Sequence, residues 1–389
     1  MRACVLGMAV LLGGALAWPL SLSAVGPGGG TFAGDGEPAT EARLSNPRGV
    51  AVDRAGNLYI ADSSNDRIRR VDRQTGVIST VAGLGERGFG GDGGQAGVAR
   101  LYFPHGIALD ETGNLYIADA GNHRVRKVEA HTHIISTIAG TGRTEFYGDG
   151  GPATDAGLSV PRGVALDSQG ALFIADTQHG CIRRVDRDGR ILIVAGSDPR
   201  KVEKGEAPIY LRAPVGLALG PDGQIYWADA TLSRVKKADL MRIDPKTKSG
   251  WITVVAGEEE MGFSGDGGPA RGAQLEAPAA VAFDSKGNLY IADHNNVRIR
   301  RVDAKTGVIT TVAGNGQRGL SGDSGPATAA SLNAPAGLAF DADDNLYIAD
   351  SGNHRIRKVE VATGMITTVA GSGPIDEGPP KGPIQEVFI

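Results

Sequence analysis

Six prolines each open a similar short segment of this chain, and the residue after the proline varies. The prolines are Pro47, Pro104, Pro161, Pro214, Pro278 and Pro335, and the residues that follow are Arg48, His105, Arg162, Val215, Ala279 and Ala336. Two arginines and a histidine on successive segments could hold a carboxylate or phosphate through charge-assisted hydrogen bonds. We therefore predict an anion site at Arg48, His105 and Arg162, with a histidine that titrates at roughly pH 6 to 7.

The other histidines do not add up to a metal site. Only His105 among the seven histidines follows one of the six prolines, and a catalytic zinc needs three protein ligands. The remaining six fall in predicted turns, where we expect them to be solvated: His123, His131, His133, His179, His294 and His354.

An aspartate ends an apolar run in all six segments, and an arginine follows five residues later in five of them. The aspartates are Asp62, Asp119, Asp176, Asp229, Asp293 and Asp350, and the arginines are Arg67, Arg124, Arg234, Arg298 and Arg355. A residue type that recurs in every copy is most simply structural, and the planar guanidinium can hold carboxylate and carbonyl oxygens together. We predict structural Asp-Arg pairs. Cys181 replaces the arginine in the third copy, and we expect a partly buried thiol rather than a nucleophile.

A second set of aspartates lies between glycines in the segments that join the copies. They are Asp35, Asp92, Asp149 and Asp266, with Asp323 in a near match. Asp between glycines is typical of turns, because its carboxylate accepts local backbone N–H groups while Gly supplies positive φ. Calcium at Asp92, Asp149 and Asp266 is the alternative, although calcium takes six to eight oxygens. We otherwise expect no cofactor.

Short strands must position all of these residues. The first copy contains four runs rich in β-branched and aromatic residues, within 44–53, 56–62, 65–72 and 76–83, and each run is bounded by turn residues. Four strands in each of six copies predict an all-β fold, a six-bladed β-propeller of four-stranded antiparallel blades over residues 25–373. Residues 374–389 form a C-terminal tail, of which 384–389 could supply a closing strand.

The N-terminal residues have a different pattern. Arg2 precedes an apolar run over 5–17, and small residues suited to cleavage occur near 17 and near 23. Residues 1–24 therefore predict a secretory signal peptide, with an uncleaved anchor as the alternative. We expect the mature chain to be secreted or periplasmic, with no membrane span after cleavage.

These motifs resemble the NHL-repeat family. Copies of Pro-x-Gly-Val-Ala, Gly-Asn-Leu-Tyr-Ile-Ala-Asp and Asn-x-Arg recur from about residue 30 to 373, and the Gly-Asp-Gly linkers are similar to those of secreted bacterial NHL-repeat proteins and teneurin-type NHL domains. The resemblance implies a six-bladed propeller used mostly for binding. A minority of such propellers are enzymes, among them a metal-dependent lyase with histidine ligands and calcium-dependent lactonases.

Taken together, the sequence predicts a monomeric binding or scaffold module for a protein or a small anionic ligand. A metal-dependent lyase or lactonase-type hydrolase is the alternative. A net charge of -4 argues against nucleic acid as a partner. The fourth copy is atypical, with no Gly-Asp-Gly linker over 197–210 and an insertion near 236–241, and its Trp227 and Trp251 are candidates for a partner surface.

Overall fold

The computed structural model describes residues 32–198, 211–243 and 250–373, which form six antiparallel sheets. Each sheet is one blade whose four main strands follow one another in chain order, so the predicted six-bladed propeller of four-stranded antiparallel blades is confirmed. The predicted signal peptide and the C-terminal tail lie outside the described residues. Within the described residues, no helix has the length and apolar character needed to cross a membrane.

Blades 1 to 3 contain the strands β1 (Pro47–Val52), β2 (Leu58–Asp62), β3 (Arg67–Val71), β4 (Ile78–Ala82), β5 (Pro104–Leu109), β6 (Leu115–Asp119), β7 (Arg124–Val128), β8 (Ile135–Ala139), β9 (Pro161–Leu166), β10 (Leu172–Asp176), β11 (Cys181–Val185) and β12 (Ile191–Gly196). Blades 4 to 6 contain β13 (Pro214–Leu219), β14 (Ile225–Asp229), β15 (Arg234–Ile243), β16 (Gly250–Ala256), β17 (Ala280–Phe283), β18 (Leu289–Asp293), β19 (Arg298–Val302), β20 (Ile309–Ala313), β22 (Pro335–Phe340), β23 (Leu346–Asp350), β24 (Arg355–Val359) and β25 (Met365–Ala370). The two-residue strand β21 (Gly325–Pro326) pairs with β25 in blade 6.

Aspartate-capped turns join the first two strands of a blade. In blade 1 the Asp53 carboxylate accepts hydrogen bonds from the Asn57 backbone N–H and side-chain amide, both at 2.8 Å. Gly56 in this turn has a φ of 86°, a conformation that glycine adopts without steric cost. The same Asp-Asn turn recurs at Asp110, Asp284 and Asp341. These turns fix the register of the innermost strand against its neighbour.

The core consists mainly of six apolar clusters, each between two adjacent blades, and a small seventh cluster lies within blade 4. Ala61 and Ile68 of blade 1, for example, pack with Leu101 and Ile117 of blade 2. The equivalent cluster between blades 6 and 1 joins Ile356 to residues of the first blade. Both faces of every blade are therefore apolar, which explains why the strands do not alternate cleanly between apolar and polar residues.

The ring closes with the same backbone bonds that join consecutive blades. Between blades 1 and 2, the Gly83 and Leu84 N–H groups donate to the Ala96 and Ala99 carbonyls, both at 2.9 Å. Between blades 6 and 1, Gly371 and Ser372 donate to Ala39 and Ala42 at 2.9 and 2.8 Å. His354 Nδ1 also accepts the Asn46 N–H at 2.9 Å across this joint. Blade 6 takes its four main strands from one continuous segment, so the described residues close the ring without a strand exchange.

The Gly-Asp-Gly linkers cover the outer edges of the blades that they precede. In blade 1 the Gly36 N–H donates to the Ile78 carbonyl at 2.8 Å, and the Ile78 N–H donates to the Glu37 carbonyl at 3.0 Å. An uncovered edge strand can pair with another chain, and this linker occupies part of that edge.

Candidate functional site

The six innermost strands surround a central channel, and the segments that open them line a cavity in it. Five of these segments are Pro-x-Gly, and blade 5 has Pro278-Ala279-Ala280 instead. The glycine allows adjacent strands to approach closely, because a Cβ at Gly163 would lie 2.0 Å from the Val215 carbonyl oxygen. Arg48, His105 and Arg162 line one part of the cavity, and Ala279 and Ala336 line the other. The space open to the centres of water molecules is about 60 Å³, enough for roughly four waters or one small anion. The structure thus brings the three predicted residues to one cavity.

Arg48 and Arg162 have no carboxylate partner within the described part of the chain. No ion pair of either guanidinium is present there, and Arg48 Nε is buried without a hydrogen-bond acceptor. Burial, together with the charge of Arg162, lowers the pKa of Arg48 to about 10, and burial also lowers the pKa of Arg162. Both side chains remain charged at neutral pH, so the cavity carries positive charge that the described residues do not offset.

His105 lies between the two arginines in chain order and is fixed by a backbone contact. Its Nδ1 is 3.1 Å from the Arg162 carbonyl oxygen. Burial and then the charges of Arg162 and Arg48 lower the pKa of His105 well below its usual value. The prediction that this histidine titrates at roughly pH 6 to 7 is therefore wrong for the free protein.

His294 is a further residue of this region that the sequence did not single out. It follows Asp293 at the end of β18, and its Nδ1 is 2.9 Å from the Pro335 carbonyl oxygen of blade 6. Burial and the charge of Arg48 lower its pKa to about 4. The signal was present in the sequence, because Ser63, Thr177 and Ser351 occupy the same position in other blades and make the same contact to the next blade.

The repeated aspartates bind a different arginine from the one predicted. Arg69 Nη1 lies 3.5 Å from Asp62, Arg69 Nη2 lies 2.7 Å from the linker residue Asp35, and the Arg69 and Asp62 side chains are fully buried. Four other blades repeat this bridge. Their central arginines and two aspartates are Arg126 with Asp119 and Asp92, Arg183 with Asp176 and Asp149, Arg300 with Asp293 and Asp266, and Arg357 with Asp350 and Asp323.

The predicted partner arginines bind backbone carbonyls instead. Arg67 donates to the Asn65 and Leu84 carbonyls, and its guanidinium lies 3.7 Å from the centre of the Phe32 ring. Asp62 and Arg67 are directly opposite each other in β2 and β3, but the carboxylate reaches the diagonal neighbour Arg69. The predicted ion pairs of Asp62, Asp119, Asp293 and Asp350 with these arginines are thus wrong. The arginines concerned are Arg67, Arg124, Arg298 and Arg355.

The linker aspartates considered for calcium face guanidinium groups. Asp92, Asp149 and Asp266 each pair with the buried arginine of their blade, and Asp92 and Asp266 also accept the N–H of a threonine in the outermost strand. The described residues contain no group of three or more His, Cys, Asp or Glu side chains that could hold a metal ion.

Blade 4 departs from this bridge in two coordinated ways. Its linker lacks the Gly-Asp-Gly aspartate, and Lys236 stands where the other blades have the buried arginine. Lys236 Nζ binds Asp229 at 2.9 Å. A guanidinium suits two carboxylates, whereas an ammonium suffices for one.

The two tryptophans of blade 4 lie in different environments. Trp227 is fully buried in the cluster between blades 3 and 4, so its prediction as part of a partner surface is wrong. It occupies the β14 position at which the other blades have a buried isoleucine, such as Ile60. Trp251, on the outermost strand β16, is 61% exposed.

Most of the remaining histidines are not simply solvated as predicted. His123 and His354 accept backbone N–H groups from the following blade, and His179 binds Asp176 at 2.8 Å. His131 and His133 are exposed. Cys181 is a free and fully buried thiol, and burial raises its pKa well above the usual value.

Comparison with known families identifies similar repeats over most of the described residues. The model of the teneurin NHL domain matches residues 24–89, 141–208 and 254–321. The model of the NHL repeat matches 101–128 and 332–359.

Several curated proteins are similar in sequence. The chain is 32% identical over 282 residues to SUPPRESSOR OF QUENCHING 1, chloroplastic, of Arabidopsis thaliana, covering 69% of this chain and 26% of that protein. It is 26% identical to human NHL repeat-containing protein 2, covering 85% and 41% respectively, and 29% identical to Drosophila melanogaster Teneurin-m, covering 84% and 12%. The chain therefore spans less than half the length of these relatives.

Solved structures show the same fold at low sequence identity. A Bacteroides thetaiotaomicron protein of unknown function matches with a TM-score of 0.61 at 20% identity, covering 84% of this chain and 72% of that one. An auxiliary nutrient binding protein from the same species matches with a TM-score of 0.59 at 18% identity, covering 84% and 70%. A Xanthomonas campestris gluconolactonase matches with a TM-score of 0.53 at 14% identity, covering 83% and 95%. At these identities the likeness concerns the fold alone.

Proposed function

The chain belongs to the NHL-repeat family of β-propellers, and from that premise we propose that it is an extracytoplasmic binding module that holds an anionic group in its central channel. The site consists of Arg48 and Arg162, with His105 between them. The extracytoplasmic location rests on the signal-like pattern of residues 1–24.

A contrast between two sets of arginines supports the anion site. Each buried arginine of the Asp-Arg-Asp bridges contacts two carboxylates, as Arg300 contacts Asp293 and Asp266. Arg48 and Arg162 contact none among the described residues, although burial lowers the pKa of both. A partly buried charge without a partner is costly, and an anion that binds both guanidinium groups would offset that cost.

The fold itself does not choose between binding and catalysis, because one fold carries many functions. The family's minority of lyases and lactonases depends on a metal site. The described part of the chain brings together no set of three potential metal ligands, and the channel presents two arginines instead. The channel residues therefore favour binding of an anion over metal-dependent catalysis.

The substitution Arg48→Ala with Arg162→Ala should weaken anion binding by about 100-fold, equivalent to about 2.7 kcal/mol for two charge-assisted contacts. Isothermal titration calorimetry with phosphate, sulfate and acetate at low ionic strength measures this. Added salt should weaken binding to the wild type, because screening reduces the attraction.

Arg54→Ala is the matched control, since Arg54 is 76% exposed and pairs with Glu111 on the surface. It removes one positive charge without touching the channel, so we expect unchanged affinity. Equal affinity of the double variant and the wild type would refute the channel site. The exposed Trp251 would then become the better candidate contact, with a protein as the partner.

A further inference from the structure

The two histidines near the channel have a defined tautomer. His105 Nδ1 lies 3.1 Å from the Arg162 carbonyl, and His294 Nδ1 lies 2.9 Å from the Pro335 carbonyl. A carbonyl oxygen only accepts hydrogen bonds, so each Nδ1 must carry the hydrogen. In a neutral ring with hydrogen on Nδ1, Nε2 is an acceptor.

The surroundings keep both rings neutral. A second proton on His105 would place another positive charge beside Arg48 and Arg162, and burial and these charges lower its pKa. The pKa of His294 is lowered in the same way by burial and the charge of Arg48, with a smaller contribution from Arg318. No described residue donates a hydrogen bond to Nε2 of His105 or His294. The region therefore combines two strong donors with acceptors that lack a donor.

Resting on the proposed function, we propose that the ligand group is a small oxyanion that carries its own O–H, as hydrogenphosphate does at neutral pH. Its charged oxygens would accept from Arg48 and Arg162, and its hydroxyl would donate to the His105 Nε2. Sulfate has the same tetrahedral shape but no proton at neutral pH, so an oxygen lone pair would face the Nε2 lone pair. The cavity leaves a volume of about 60 Å³ in which the centre of a water molecule can lie, which is enough for an ion of this size.

Selectivity follows from this arrangement. A site that must hydrogen-bond a ligand hydroxyl discriminates strongly against an analogue without one, because the site's own polar group is left unpaired. Charge alone would favour sulfate over phosphate, since sulfate is fully divalent at pH 7 and phosphate is partly monovalent. A preference for phosphate would therefore report the hydrogen bond to histidine rather than charge.

The test is titration calorimetry of the wild-type protein with phosphate, arsenate, sulfate and selenate at pH 7. We expect phosphate and arsenate, which both carry O–H, to bind at least about 10-fold more tightly than sulfate and selenate. Equal affinities for all four would overturn this inference but leave the anion site intact. Absence of binding by all four would count against both the inference and the proposed site.

His105→Phe provides a second test, because it keeps a ring and removes the acceptor. It should weaken phosphate binding and relieve the lone-pair repulsion that sulfate meets, so the preference for phosphate over sulfate should disappear. His131→Phe, at an exposed turn, is the control. A phosphate preference that survives in a folded His105→Phe protein would contradict the role of His105. If that variant does not fold, the ratio of phosphate to sulfate affinity in the wild-type protein still tests the inference.

Discussion

Deletion of residues 278–332, one whole repeat unit, should leave no cooperatively folded monomer. The deletion removes all four main strands of blade 5 and separates two apolar clusters from their partners. Blade 4 would lose the contacts of Val235 and Ala256 with Leu289 and Ile291. The remaining blades would have to repack at a different angle or expose two apolar faces, because a repeat unit is stable mainly through its neighbours. Thermal unfolding followed by circular dichroism, with light scattering for mass, measures the result.

Replacement provides the matched control for this deletion. The segment 104–158 has the same length and the same start and end positions in the repeat as 278–332. Inserting a copy of it in place of 278–332 restores six blades, and we expect a cooperatively folded monomer. A sharp transition and monomeric mass for the deletion itself would contradict closed-ring packing, since an open array of repeats would tolerate the loss.

Arg300→Ala should lower the free energy of unfolding by about 3 to 5 kcal/mol. Arg300 and Asp293 are both fully buried, and removing the guanidinium leaves the Asp293 carboxylate with an uncompensated charge. Arg298→Ala should cost only about 1 to 2 kcal/mol, because that side chain bonds two backbone carbonyls and stacks on Phe263. Arg300→Lys should fall between them, since Lys236 fills this position in blade 4 with a single carboxylate. Urea denaturation of the three variants measures the order.

The cost of Arg300→Ala should also depend on pH. Burial raises the pKa of Asp293 to about 6, whereas hydrogen bonds from the Glu276 N–H, Asn296 and Arg300 oppose that rise. Loss of Arg300 raises this pKa further. A carboxyl whose pKa is higher in the folded state destabilises the fold as pH increases through that pKa. The stability deficit should thus be larger at pH 8 than at pH 5, and equal losses for Arg298→Ala and Arg300→Ala would refute the assigned pairing.

Internal repetition made the architecture predictable. The six prolines and the Asp-ended second strands appear in every copy, so a single interpretation of one blade applied to all six. Ring closure was not predictable, because it depends on which backbone groups meet across the joint. In the structure, the ring closes through backbone hydrogen bonds that Gly371 and Ser372 donate to the first linker.

The wrong pairings of the repeated aspartates and arginines share one physical origin. Asp62 and Arg67 face each other across β2 and β3, and Arg69 is on the same side of the sheet two residues away. Sequence spacing does not distinguish a direct from a diagonal neighbour. The position of the linker decides it, because Asp35 lies against Arg69. The joint loss of the linker aspartate and this arginine in blade 4 was the available clue.

Trp227 shows the complementary error. The tryptophans of blade 4 suggest a partner surface. Trp227, however, occupies the position of the second strand at which other blades have a buried isoleucine, such as Ile174 and Ile291. A turn position indicates solvent exposure, whereas His294 is half-buried and contacts the next blade. In a propeller, the turns between the second and third strands contact the next blade, as the His294 to Pro335 contact shows.

The most direct test of the anion site is to locate an anion in it. Crystals of the wild-type protein grown with saturating arsenate, and measured at the arsenic absorption edge, should show an anomalous peak in the central channel. The arsenate oxygens should lie about 2.7 to 2.9 Å from the guanidinium nitrogens of Arg48 and Arg162. An empty channel at an arsenate concentration that saturates binding in solution, with arsenate bound elsewhere on the protein, would contradict the account.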